Sequence, residues 1–95
     1  MEIYAREGWY LERPEPEESW RGDLRKREAP VGPAARTALS FALVTRDREL
    51  PIYAANVEAD LSPFVDRRVV AEGKLVDLTT EGYGPELWLA SIEPA

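Results

Sequence analysis

Residues 67–78, RRVVAEGKLVDL, alternate apolar and polar side chains as a β-strand does, yet a glycine stands in the middle of the run. Val69, Ala71, Gly73 and Leu75 fall on one face, because successive side chains of a strand point to opposite sides. Glycine weakens a strand interior, since it has more backbone freedom to lose and no side chain to pack. A strand that accepts one is under a geometric demand. In a small closed barrel the strands coil strongly, and a mid-strand glycine or bulge supplies the bend. On the inner face it also relieves crowding where the barrel is narrow. The competing reading is an ordinary edge-strand glycine. A bend at Gly73 predicts a barrel.

The neighbouring segments fit that prediction. Downstream, TTEGYGPE (79–86) is a glycine-rich hairpin loop and LWLASIE (87–93) is the last strand. Upstream, EADLSPFVD (58–66) breaks the β pattern. Ser62 before Pro63 predicts an N-cap with proline at the first helical position, opening a turn or two of helix. LPIYAANV (50–57) and TALSFALVT (37–45) are two strands joined by the polar connection RDRE (46–49). In the earlier strand Leu39, Phe41 and Leu43 share one face, with the small Ala38, Ser40 and Ala42 on the other. APVGPAAR (29–36) is a loop, and WRGDLRKRE (20–28) is the first strand, with Trp20, Gly22, Leu24 and Lys26 opposite Arg21, Asp23, Arg25 and Arg27. Residues 1–19 form an arm and a proline–glutamate connector, so the predicted barrel is 20–95. The fold class is all-β: a five-stranded Greek-key barrel with a short helical segment between strands three and four.

The run from LPIYAANVEADLSPFVDRRVVAEGKLVDL to LWLASIE resembles the second half of an OB-fold domain. There, a third strand leads through a connecting helix to a strand of V-x-V-x-G-x-L type and a closing strand. The fourth-strand pattern here is Val69, Ala71, Gly73 and Leu75, and the likeness spans about residues 20–93. This chain departs in its connecting helix, which is vestigial and predicts one barrel end less well plugged. The resemblance implies a binding fold whose customary ligand, nucleic acid, lies on the second and third strands between two loops.

Composition narrows the chemistry. The chain has 95 residues, no cysteine and no histidine. Disulfides and thiolate chemistry are excluded, and so are the commonest general base and transition-metal ligand. No EF-hand spacing occurs, and no cofactor or metal is expected. No apolar run reaches the ~20 residues of a membrane span, and the acidic N-terminus lacks a signal-peptide pattern, so a cytoplasmic protein is expected. Ser19, Ser40, Ser62 and Ser91 have no histidine to activate them, and Lys26 and Lys74 are the only lysines, so no enzyme is expected. The RGD tripeptide at Arg21–Asp23 sits inside a strand, and Gly82 and Gly84 serve a turn rather than a phosphate cradle.

Charge directs the search for a ligand. The net charge of −6 hides one basic island: residues 21–36 hold five bases against two acids. Arg21, Arg25, Lys26, Arg27 and Arg36, with Tyr53 and Tyr83 as stacking rings, are the candidate contacts for a single-stranded nucleic acid. Against this, bases and rings do not interleave on the central strands, and the arginines have acids nearby to pair with. The first expectation is therefore a non-enzymatic adaptor that binds a protein partner or itself. Single-stranded nucleic acid is the alternative. Tyr4, Trp9 and Tyr10, three large rings outside the predicted barrel, are the candidate interface, since aromatic residues concentrate at interface cores. The arm carrying them is expected to lie on its own barrel or on a neighbour.

Overall fold

In the computed structural model, which describes residues 1–27 and 40–95, five strands close a barrel. They are β1 (Glu17–Lys26), β2 (Phe41–Val44), β3 (Glu49–Ile52), β4 (Arg68–Asp77) and β5 (Pro85–Pro94). Their order around the barrel is β1-β2-β3-β5-β4, and every pairing is antiparallel except the short β3–β5 contact at Ile52 and Leu87. Arg36, Ala38, Leu39 and the first loop lie outside the described residues.

The alternation in the sequence sets the inner wall. Leu24, Phe41, Leu43, Leu50, Ile52, Val69, Ala71, Leu87, Leu89 and Ile92 form one buried cluster. Trp20 and Leu75 pack against it from less enclosed positions. A single turn, α2 (Glu58–Leu61), followed by a 3₁₀ turn over Ser62–Phe64, links β3 to β4. Short as it is, it contributes to the core: Leu61 is fully buried, with Phe64 and Val65 against the same cluster. The N-cap expectation for Ser62 is corrected. Its hydroxyl donates backwards to the Glu58 carbonyl at 2.8 Å, and the helix begins earlier, after Val57.

Two glycines let the barrel close. Between Glu72 and Gly73 the β4–β5 register slips: Glu72 faces Ser91 and Gly73 faces Leu89, leaving Ala90 as an extra residue on β5. A β-carbon on Gly73 would stand 2.2 Å from the Trp88 carbonyl oxygen. What crowds Gly73 is thus the main chain of β5 at its bulge. Gly22 has the same role where β1 leaves β4 for β2, for its β-carbon would lie 2.4 Å from the Val44 carbonyl oxygen.

The first strand starts before Trp20, since Glu17, Glu18 and Ser19 already pair with Lys74, Gly73 and Glu72. The connector is thus partly strand. Residues ahead of it lie on the barrel itself. The Ile3 and Tyr4 amides donate to the Ala90 and Leu89 carbonyls at 2.8 and 3.0 Å, and Ile92 donates to Met1 at 2.9 Å. This stretch covers the edge of β5 that the short β3 leaves unpaired, and an uncovered edge invites pairing with other chains. A turn of helix, α1 (Gly8–Leu11), then lays Tyr10 over the outside of β4 and β5.

Candidate binding surface

The arm and the barrel wall together build a cluster of rings. Tyr53 follows Ile52 and so faces outward from the end of β3, while Trp88 faces outward from β5. The arm adds Tyr4 and Trp9. Ring centroids lie 4.8 Å apart for Tyr4–Trp9, 5.4 Å for Trp9–Trp88, 5.6 Å for Tyr53–Trp88 and 6.0 Å for Trp9–Tyr53. The first, second and last pairs meet edge to face, the arrangement the ring quadrupole favours. Tyr4 is buried, and its hydroxyl donates to the Ala55 carbonyl at 2.7 Å. Burial, then Tyr53 and Glu7, push its pKa well above the ordinary tyrosine value.

One side of this cluster is closed by the chain's own charges. The Arg13 guanidinium lies 5.4 Å from the centre of the Trp88 ring. It also grips Glu15 through two bonds, Nε to Oε1 at 3.0 Å and Nη2 to Oε2 at 2.6 Å. That pairing holds the Glu15 carboxyl below its usual range. Nearby, the nearly buried Lys74 ammonium donates to the Tyr10 and Arg13 carbonyls at 2.8 and 3.0 Å, satisfying the end of α1. The Trp88 indole donates to the buried Glu86 carboxylate at 2.9 Å. Tyr10 is 1% exposed, and its hydroxyl lies beside Glu17 with no hydrogen-bond partner among the described residues. Burial first, then the Glu17 charge, push its pKa up to about 12.

The other side is open. A cleft of about 350 Å³ is lined by Tyr4, Glu7, Trp9, Tyr53, Asn56 and Val57, among others. Trp9 is 40% exposed there, and Asn56 turns the chain with a left-handed φ of 62°. Of the candidate interface rings, Tyr4 and Tyr10 are therefore spent inside the chain, and Trp9 alone remains at the surface. The sequence reading missed Trp88 and Glu7. The alternation of Leu87 and Leu89 around Trp88 was the signal that this ring faces outward.

The arginine candidates are arranged differently. Arg25 pairs with Asp66 at 2.8 Å and approaches Asp23 at 3.5 Å, while Arg27 pairs with Glu49. Lys26 lies at the barrel rim, 5.6 Å from the Phe41 ring centre. Arg21 is exposed, and Tyr83 sits on the distant β4–β5 loop. Between the second and third strands, Ala42 and Pro51 are buried, and Ala54 belongs to the core. The small-residue face of the sequence reading is thus not an open surface at those positions. A second cleft, about 440 Å³, lies near the turn after β2 and is lined by Asp23, Val44, Thr45, Arg46 and Arg68. Asp23 stands there against Arg68 at 3.9 Å, so its charges are mixed. Among the described residues no cluster of three or more acidic side chains is placed to hold a metal, and no helix is long and apolar enough to cross a membrane.

No protein family, curated protein sequence or solved structure matches this chain.

Proposed function

We propose that this chain is an OB-like barrel serving as a small, non-enzymatic protein-binding module. The strand order β1-β2-β3-β5-β4, with a helical turn between β3 and β4, is compatible with that fold. The observation that carries the functional reading is the exposed Trp9 beside Tyr53 at an open cleft, on a rigid ring cluster. Rings held by their neighbours lose little freedom on binding, and buried aromatic anchors dominate protein interfaces. Nucleic acid is the weaker reading, because Arg25 and Arg27 already pair with carboxylates and Ala42 and Pro51, opposite each other on β2 and β3, are buried.

Selection of a random peptide library displayed on phage against the whole chain tests this reading. Peptides that bind the parent and lose binding to Trp9→Ala, with the variant still folded, are the expected outcome. A library that yields no binder sensitive to that substitution would remove the reading.

A further inference from the structure

The aromatic cluster has two ends, and the chain has completed only one of them. At the Trp88 end a guanidinium, a ring and a carboxylate are assembled from Arg13, Trp88 and Glu15. At the Trp9 end the ring and the carboxylate recur, as Trp9 and Tyr53 with Glu7, and the cleft among them has no cation in its lining. Glu7 makes no side-chain hydrogen bond or ion pair among the described residues, and its charge is felt within the cleft, at the Tyr4 hydroxyl. The nearest basic residue in sequence, Arg6, is turned to Glu2 at 3.3 Å.

We propose that this cleft receives an arginine side chain from a separate partner protein, with its guanidinium against the exposed Trp9 ring and the half-buried Tyr53 ring and paired with Glu7. The inference deepens the protein-binding reading and rests on it. Charge complementarity selects a cation, because the only formal charge in the lining is negative. Ring shape selects arginine over lysine: a planar guanidinium stacks on an aromatic face while its fork engages a carboxylate, and an ammonium does not. The rings touch one another at 4.8–6.0 Å between centroids, so they leave no cage that would enclose a methylated ammonium on all sides. A flat group laid along the cluster's edge suits that packing.

Nitrogen-15 NMR of the whole chain, titrated with N-acetyl-arginine methylamide, tests the proposal. Its citrulline analogue, a neutral near-isostere, and its lysine analogue serve as comparators. Expected are shifts centred on the Trp9 indole N–H and the Asn56 amide, with the arginine compound binding most tightly. Glu7→Gln is expected to weaken binding about three- to fivefold, the scale of one exposed ion pair. Glu7 is exposed, so the variant should keep the parent thermal midpoint, and Trp9→Leu provides a second variant on a different arm of the site. Equal binding by the citrulline compound, or binding unaffected by both variants, would overturn the proposal. So would a dimer, seen by sedimentation, that Glu7→Gln dissolves, because the arginine would then come from a second copy. Phage-selected peptides that need Trp9 but lack arginine would reject this inference and leave the protein-binding reading standing.

Discussion

At Gly73 the difference between glycine and alanine is one methyl group, and that methyl would sit 2.2 Å from the Trp88 carbonyl oxygen. Backbone does not yield as a flexible side-chain tip does. Gly73→Ala should therefore cost about 1–3 kcal/mol, as overpacking does, and a larger residue should cost more. Gly8 supplies the control. A β-carbon there meets nothing within 4 Å, and the residue opens a helical turn. Gly8→Ala should be neutral or stabilise by up to about 1 kcal/mol. Urea unfolding followed by circular dichroism measures both, and equal effects of the two substitutions would remove this account of Gly73. The need for a glycine at 73 was legible in the sequence, because it interrupts a strong β pattern. Its cause was not, since the obstacle is a carbonyl on another strand whose bulge is known only once the register is. Gly22 has the same obligation and looked like an ordinary member of an alternating row.

The arm is an element whose role depends on what lies beneath it. Tyr4 and Tyr10 are 5% and 1% exposed, and burying one large apolar side chain is worth about 1.5–3 kcal/mol. Removing residues 1–16 leaves β1 whole but uncovers Ala90, Trp88 and the edge of β5. The loss, about 3–6 kcal/mol from the two tyrosines alone, rivals the ~5–15 kcal/mol that holds a typical domain together. The truncated chain should unfold at a much lower temperature and bind a hydrophobic dye. An unchanged midpoint would mean that the arm rests on the barrel without supporting it. The hairpin of β2 and β3 was readable because its partners are close in sequence and its turn is polar. The β5 bulge left a trace that periodicity alone passed over: Leu87 and Leu89 are inward at even spacing, but Ile92 is the next inward residue. The arm left less, because its face is completed by Lys74, Glu86 and Trp88, which come together only when β4 and β5 pair.

For the molecule as a whole, electrostatics decides which polymers can approach. The chain carries −6, and Arg25 on β1 and Arg27 just after it are partly neutralised by Asp23, Asp66 and Glu49. If Arg25, Lys26 and Arg27 did hold phosphates, binding would fall with salt at a slope of about −0.7 per contact, near −2 for three. The expected result is weak binding or none to a labelled single-stranded oligonucleotide at physiological salt, with little further loss on reversing all three to Glu. Fluorescence anisotropy reads it. Sub-micromolar affinity abolished by the triple reversal would make Arg25, Lys26 and Arg27 a functional site and restore the nucleic-acid reading.

The strip that Met1–Tyr4 lays along β5 also sets an order of events during synthesis. Those residues leave the ribosome well before the carbonyls they bond, on Leu89 and Ala90, are made. At translation rates of about 5–20 residues per second, the arm waits roughly 5–20 s for its partner. Until then Tyr4, Trp9 and Tyr10 have no β5 wall to rest on, and whatever meets the nascent chain meets those rings uncovered. The cleft beside Trp9, which needs arm and barrel together, therefore comes into being only after β5 has been made.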